Sequence, residues 1–374
     1  MKQTPLRSRL LTLAAGMALA LAPSVQAEDS TETFDRIWSL AKFYENADNP
    51  VLQELSFVGR AQADFYHYDT NLGDNTDWFV RRLRLGLRAR MFDDFIVRGE
   101  INADANNADP FYTHLTWAYI GYEPSRAFNL RAGKLYIPFT FDGNTSSTRL
   151  FTIDRSAIAT NFWIPLAYIP SISVSGTTDT WTYQAALISN GTPTREFGNF
   201  DASFALVGSL GYDFKEALNS DRALLRLEYV YQDPTDKPVE MRPTEHLVSL
   251  NGEYRQGPYG IAADLTMSQD FGGRGDMLGF MLMPYYDIVP DRWQAVGRYT
   301  YIESDSPTGV RLGRYLSETG ARGDELHEIY AGLNRFIYGH KLKVQCGLTY
   351  TWLNRPLADD LDGFGATIGL RAYW

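Results

Sequence analysis

Cysteine and the motifs of enzyme chemistry are almost absent from this sequence. Cys346 is the only cysteine in 374 residues, so no disulfide can form within the chain and no paired-cysteine metal site is present. The five histidines are dispersed without an HExxH pair, and the sequence has neither a nucleophile elbow nor a glycine-rich phosphate loop. The sequence therefore predicts a protein that is not an enzyme and that uses no metal and no cofactor.

Long apolar runs and an excess of positive charge are missing as well. The apolar run over residues 10–21 follows basic residues and precedes a small-x-small sequence ending at Ala27, which predicts a cleaved secretory signal peptide over residues 1–27. No later segment has the roughly 20 apolar residues that a transmembrane helix requires. The net charge of -10 argues against nucleic acid as a partner. The chain is therefore expected to be exported. Its fold has to be inferred from patterns shorter than a transmembrane helix.

A regular two-residue alternation is the dominant pattern, and it is clearest in residues 77–104. One set of alternate residues is largely apolar: Phe79, Arg81, Leu83, Leu85, Leu87, Ala89 and Met91. The set between them carries four arginines: Val80, Arg82, Arg84, Gly86, Arg88 and Arg90. Because successive side chains of a strand point to opposite faces, the stretch predicts two strands joined by a turn at residues 92–94, with one apolar and one charged face.

Strands of this kind recur to the end of the chain. In a soluble sheet with one solvated face they would usually be short, whereas long alternating strands suit a wall with lipid outside and water inside. We count about 16 strands, an even number as bacterial barrels require. The last of them places Trp374 on its apolar stripe. The predicted fold class is all-β: a transmembrane antiparallel β-barrel over residues 54–374, after a short periplasmic segment over residues 28–53 whose apolar residues have helical spacing.

Residues 138–170 interrupt the alternation. A connection of this length is uncommon unless it has a function. The segment is rich in aromatic side chains and also contains Arg149 and Arg155. We expect this third long loop to fold inward and narrow the lumen. The other connections alternate between tight turns and long polar loops, as short periplasmic turns and long external loops would.

The charged face of residues 77–104 allows two interpretations. The turn places Arg88 opposite Arg98, and like charges across a ladder are unfavourable unless something bridges them. Glu100 would be that bridge in a purely structural salt-bridge network. A passing anion would be the bridge in a pore, because guanidinium groups bind phosphate or carboxylate oxygens in pairs. Further inward-facing residues predict a mixed lumen with an excess of positive charge: Arg60, Arg131, Arg226, Arg255, Arg298 and Arg371 against Asp64, Glu228, Glu253, Asp264 and Glu328.

Three stretches together resemble the phosphate-selective porin O and P family. They are RRLRLGLRARMFDDFIVRGEIN at residues 81–102, LRAGKLYIPF at residues 130–139 with the long segment after it, and DRWQAVGRYTYIES at residues 291–304. Residues 333–350 resemble the penultimate hairpin of that family. The resemblance implies a trimeric barrel of about 16 strands whose arginine- and lysine-lined pore passes anions, phosphate in some members. The chain departs from the phosphate specialists of the family in having few lysines on its strands.

We therefore expect a bacterial outer-membrane porin for passive diffusion of small hydrophilic solutes, with a bias toward anions such as phosphate. The expected partners are small anionic solutes, outer-membrane lipid and two further copies of the chain. The alternatives are a structural or adhesion barrel with a plugged lumen, and a secreted soluble all-β binding protein. The predicted anion path comprises Arg82, Arg84, Arg88, Arg90, Arg98, Arg131, Lys134, Arg149, Arg155 and Arg298.

Overall fold

The computed structural model describes residues 28–107, 109–163, 168–191, 196–197 and 203–374. The predicted signal peptide lies outside the described residues. Within them the chain forms a closed antiparallel β-barrel of sixteen strands, in which each barrel strand pairs with the next one along the chain. The last strand pairs with the first and closes the cylinder, with Gln62 opposite Arg371 and Thr70 opposite Gly363. The predicted all-β barrel is confirmed.

A short strand, β1 (Lys42–Glu45), precedes the barrel. The first eight barrel strands are β2 (Leu52–Thr70), β3 (Gly73–Met91), β4 (Phe95–Ala103), β5 (Tyr112–Ser125), β6 (Phe128–Tyr136), β7 (Tyr168–Thr177), β8 (Trp181–Ser189) and β9 (Phe204–Asp213). The next five are β10 (Arg222–Gln232), β11 (Thr244–Gln256), β12 (Tyr259–Asp270), β13 (Met277–Val289) and β14 (Trp293–Ser304). Two short strands, β15 (Val310–Arg311) and β16 (Arg322–Gly323), pair outside the barrel wall, which β17 (Glu325–Tyr338), β18 (Leu342–Asn354) and β19 (Leu361–Tyr373) complete.

The two faces of the wall differ as the alternation predicts, and β12 shows the difference. Asp264 and Thr266 are buried, whereas Ile261, Leu265 and Met267, at odd-numbered positions of the same strand, are exposed. Apolar side chains cover the outside, where lipid solvates them, and polar side chains face the lumen. A closed barrel also satisfies the backbone hydrogen bonds of every wall strand, which lipid requires.

The hairpin between β2 and β3 differs from the sequence-based expectation. Residues 69–76 are rich in polar side chains, a composition that predicts a loop, but β2 continues to Thr70 and β3 begins at Gly73. Only two residues connect them. The Thr70 hydroxyl donates to the Gly73 carbonyl oxygen at 2.8 Å and stabilises the tight connection. Polarity predicted a loop here because residues 73–78, at the start of β3, are exposed on both faces of the strand.

Arg81 breaks the alternation of β3 through a β-bulge. Consecutive residues of β2 lie opposite Arg82 and Val80, so Arg81 has no partner of its own in the ladder. One extra residue exchanges the faces of everything before it. Phe79 therefore packs against Tyr315 with ring centroids 6.4 Å apart, and the Arg81 side chain is only 1% exposed. The predicted apolar set is correct for the second half of the strand and wrong at Phe79 and Arg81.

The N-terminal segment lies at the rim of the barrel. Helix α1 (Glu28–Ser39) leads to β1, which pairs with the start of β2. The Trp38 indole N–H donates to the Tyr373 carbonyl oxygen at 2.7 Å. The Phe57 ring stacks between Phe43 and Trp374, with centroid distances of 6.1 and 5.7 Å. These contacts attach the segment to the ends of the wall strands, where the last strand closes on the first, and not to the lumen.

The connections at the two ends of the barrel differ in length. Short turns such as residues 92–94 and 257–258 join strands at the end that holds the termini, and long segments such as residues 137–163 and 305–324 lie at the other end. The connection after β6 contains two short helices, α2 (Phe141–Asn144) and α3 (Ala157–Phe162), and the connection after β14 contains a 3-10 helix at Arg314–Thr319. In the described part of the chain, no helix is both long and apolar enough to cross a membrane.

Candidate functional site in the barrel lumen

Two buried carboxylates hold the start of the connection after β6 against the inner wall. The Thr140 N–H donates to Glu228 at 2.8 Å, and the Phe141 N–H donates to Asp264 at 2.6 Å. Asn144 also donates to both carboxylate oxygens of Glu228. The two acids lie on β10 and β12, four and six strands along the wall from β6. The segment therefore crosses the lumen.

The next part of the segment is tied to the strands that close the barrel. The fully buried Lys343 donates to the Leu150 carbonyl oxygen at 2.7 Å. Asn334 donates to the Phe151 carbonyl oxygen at 2.7 Å. Further along, Arg298 and Arg371 donate to carbonyl oxygens of Asp154 and Ile153 at 3.0 and 3.1 Å. Each of these bonds satisfies a loop carbonyl group with a side chain from the wall, so the loop has a defined place.

Apolar packing completes the attachment. Phe139, Ile158, Phe162 and Trp163 are each 3% exposed or less. Helix α3 lies directly on Gly279 of β13, where an added Cβ atom would lie 2.5 Å from the Ile158 Cδ1 atom and 2.6 Å from the Phe162 ring. A glycine is required there because no side chain would fit between the helix and the wall. The loop is thus a packed layer on the inner face of the barrel.

The two anchoring acids provide a test of this arrangement. The double substitution Glu228→Ala/Asp264→Ala should make the segment accessible to trypsin, which cleaves after arginine, because the backbone N–H groups of Thr140 and Phe141 would lose their acceptors. Limited proteolysis of the folded protein in detergent, with cleavage mapped by mass spectrometry to Arg149 and Arg155, measures the effect. Glu253→Ala is the matched control, since the partners of Glu253 are Tyr285 and Arg222, which both lie on wall strands. Equal cleavage in both variants would contradict the anchoring role.

Beside the segment, a lumen cavity of about 800 Å³ remains. Nine of its lining residues are arginines from strands and loops: Arg60, Arg81, Arg82, Arg84, Arg131, Arg155, Arg226, Arg242 and Arg314. Among the residues that the structure describes, Asp154 is the only carboxylate in the lining, and no lysine takes part. The cavity wall therefore has a strong excess of positive charge.

Most of these guanidinium groups bond to neutral acceptors. Arg82 donates to the Gln62 amide oxygen at 2.7 Å, and Arg84 donates to the Tyr168 hydroxyl at 2.5 Å. Arg155 donates to main-chain carbonyl oxygens of the loop at 2.8 and 3.1 Å. Arg60 and Arg242 likewise donate to uncharged oxygen atoms, those of Ser147 and Thr160. Neutral acceptors fix the orientation of a guanidinium group and leave its charge uncompensated.

Three of the nine arginines are exceptions to this rule: Arg131 pairs with Glu123 at 2.7 Å, and the other two pair with Asp154. Asp154 forms ion pairs with Arg81, through a short hydrogen bond, and with Arg314 at 3.4 Å. Burial alone raises the pKa of Asp154, but the two guanidinium charges outweigh burial and hold that pKa well below its usual range. The carboxylate therefore stays ionised and neutralises part of the positive charge at one point of the cavity.

Residues 57–221 match the family model described as phosphate-selective porin O and P. The match covers 165 of the 374 residues, and the chain has the fold of an outer-membrane porin. The resemblance seen in residues 81–102 and 130–139 is confirmed, whereas residues 291–304 and 333–350 lie beyond the match. The porin is located in the bacterial outer membrane, and the alternative of a secreted soluble protein is wrong.

Solved structures of outer-membrane channels have the same fold as this porin. The outer membrane channel DcaP of Acinetobacter baumannii is 12% identical, with a TM-score of 0.59 over 88% of this chain and 99% of that one. OprB of Pseudomonas putida is 10% identical, with a TM-score of 0.61 over 86% of this chain and 94% of that one. An anion-selective porin from Comamonas acidovorans is 12% identical, with a TM-score of 0.59 over 86% and 99%. A comparison with curated protein sequences finds no match.

Four residues of the predicted anion path line the cavity of the porin: Arg82, Arg84, Arg131 and Arg155. The other six lie elsewhere among the described residues. Three are in ion pairs on the wall: Arg88 with Glu54 at 3.1 Å, Arg98 with Glu100 at 2.8 Å and Arg298 with Glu328 at 2.7 Å. Lys134 pairs with Glu196 at 2.9 Å, Arg90 donates to the Asp93 carbonyl oxygen, and Arg149 is exposed. The predicted register, Arg88 opposite Arg98, is confirmed.

Sequence reasoning left five cavity arginines out of the predicted path. The alternation had placed Arg60 and Arg226 in the lumen, but not at the anion path. Arg81 was assigned to the lipid face, because no sequence signal marks the bulge that turns it inward. Arg242 and Arg314 belong to long external connections, where charge usually means a solvated surface. In the folded chain both arginines line the cavity, and only the tertiary structure shows this position.

Proposed function

We propose that this porin passes small anions, with phosphate among them, through the arginine-lined cavity. The observation that carries the proposal is the composition of the lining, nine arginines to one carboxylate, together with the neutral acceptors that orient most of those arginines. A ring of basic side chains is a known route to anion selectivity, because the charges replace part of the hydration shell of the ion.

The structural salt-bridge network and the anion path are both supported, by different arginines. Arg88, Arg98 and Arg298 each have a carboxylate partner and support the wall. Arg82 and Arg84 have neutral partners, and we assign them to the anion path. Arginine suits phosphate through its planar fork of donors, which can bind two oxygen atoms at once. The name of the Comamonas acidovorans neighbour, an anion-selective porin, is consistent with this assignment.

Assembly and export are part of the same proposal. We infer that residues 1–27 are removed as a signal peptide and that three copies assemble, as the family resemblance implies. Mass spectrometry of the protein from outer membranes should give a mature chain that begins at Glu28. Chemical cross-linking in mild detergent should stop at the trimer. A chain that retains residues 1–27, or cross-linking that stops at the monomer, would contradict the respective inference.

Conductance in a planar lipid bilayer tests the proposed function. Under a potassium chloride gradient, the purified porin should give stepped conductance with a reversal potential that favours chloride. The preference should weaken at high salt, because mobile ions screen the arginine charges. Phosphate added at low concentration should reduce the chloride current if it occupies the same guanidinium groups. A reversal potential that favours potassium would contradict the proposal, and the absence of channels from a folded barrel would favour the plugged structural barrel.

A further inference from the structure

One wall of the lumen cavity is aromatic. Trp117, Tyr136 and Tyr168 line it from the adjacent strands β5, β6 and β7. Tyr168 lies between the other two rings, with its centroid 5.3 Å from Trp117 at 78° and 5.7 Å from Tyr136 at 51°. We call these three residues the aromatic wall. It forms a continuous ring surface along the side of the cavity.

The aromatic wall is joined to the arginines. The Arg84 guanidinium carbon lies 4.8 Å from the centroid of the Tyr168 ring, and the same guanidinium donates to the Tyr168 hydroxyl. Arg98 lies 5.1 Å from the centroid of Trp117. Cations over ring faces hold both groups in place. Arg84 faces the cavity with a neutral partner. It contacts Tyr168, and Tyr168 in turn contacts Trp117 and Tyr136.

The three rings differ in exposure. Tyr168 is 8% exposed and supports its neighbours, whereas Trp117 and Tyr136 are only partly buried and present surface to the cavity. The loop also positions Tyr136, whose hydroxyl donates to the Gly143 carbonyl oxygen. The faces of aromatic rings carry partial negative charge, so they give a bare inorganic anion no favourable contact. A surface of this kind beside an uncompensated guanidinium suits a ligand with both an acid group and a flat apolar part.

We propose that the cavity preferentially binds organic anions that carry an aromatic group, such as aryl carboxylates. The acid group binds the guanidinium of Arg84, and the ring packs against Trp117 and Tyr136. The inference rests on the proposed anion passage and names the class of solute that the same cavity takes. Inorganic phosphate remains a permeating ion that uses the arginines alone.

Block of the chloride current by two acids of equal charge tests the proposal. Benzoate and acetate present the same carboxylate, and only benzoate carries a ring. In the wild-type porin, benzoate should reduce the single-channel chloride current at about a tenfold lower concentration than acetate, equivalent to about 1.4 kcal/mol. Trp117→Leu should remove most of this difference and leave block by acetate unchanged. Trp117→Tyr, which restores a ring, should recover the preference.

The matched control is Trp78→Leu, the same substitution at a tryptophan that is 66% exposed on β3 and does not line the cavity. It should retain the benzoate preference, which separates binding in the pore from effects of benzoate on the bilayer. Equal block by benzoate and acetate in a chloride-selective wild-type porin would overturn the aromatic proposal and leave the proposed function standing. Benzoate preference that survives Trp117→Leu would overturn the assignment to this wall. A potassium-selective pore would overturn both proposals.

Discussion

Replacing Arg82 and Arg84 together by glutamine should lower the ratio of chloride to potassium permeability by about 30-fold at low salt. Each charge acts on an anion at about 4 Å with about 1 kcal/mol even at the dielectric constant of water, so two charges contribute about 2 kcal/mol. Glutamine keeps a hydrogen-bond donor near Gln62 and Tyr168, the present partners of the two arginines. The wall should therefore fold as before while the cavity loses two of its nine guanidinium charges.

The reversal potential under a potassium chloride gradient measures this effect. Arg88→Gln/Arg90→Gln is the matched control, because it makes the same two changes on the same strand at positions outside the cavity lining. The control should alter the permeability ratio little, since Arg88 is already paired with Glu54. If the two double variants changed selectivity equally, the excess charge of the whole lumen, and not the cavity lining, would determine ion preference.

Asp64→Asn should destabilise the folded barrel by about 3 to 5 kcal/mol. The Asp64 side chain is fully buried, where it forms an ion pair with Arg371, accepts from the Tyr315 hydroxyl at 2.8 Å and lies 3.6 Å from Arg81. Asparagine would leave Arg371 buried without its counter-charge, and the cost of a buried unpaired charge is large. Because Arg371 and Asp64 lie on β19 and β2, the substitution weakens the pairing of the two strands that close the barrel.

Guanidinium-induced unfolding of the porin in lipid vesicles, followed by tryptophan fluorescence, measures the destabilisation as a lower midpoint. Asp69→Asn is the control, because it is the same substitution on the same strand at an exposed position. Surface charges contribute little to stability, so the control should unfold within about 0.5 kcal/mol of the wild type. Equal midpoints for the two variants would show that water or another group compensates Arg371 when Asp64 is neutral.

The barrel itself followed from local sequence patterns. The two-residue alternation assigned most side chains to the lipid or the lumen, because the geometry of a strand requires successive side chains to point to opposite faces. The tight turn at residues 92–94 also determined the register of its hairpin, including the opposition of Arg88 and Arg98. Alternation and hairpin register depend on residues that are close together in the chain. They can therefore be predicted from a single sequence. The resemblance to a porin family added an expectation about the solute class, which periodicity cannot supply.

The tertiary structure decided which arginines are paired and which face the cavity. A bulge of one residue turned Arg81 inward, and no composition signal marks such a bulge. The distant anchors Glu228 and Asp264 fixed the inward loop, and the external connections returned Arg242 and Arg314 to the cavity. An arginine looks the same in a sequence whether a carboxylate, an amide or a carbonyl oxygen lies beside it. Contacts between residues far apart in the chain make that difference, and so they determine where the uncompensated charge of this porin lies.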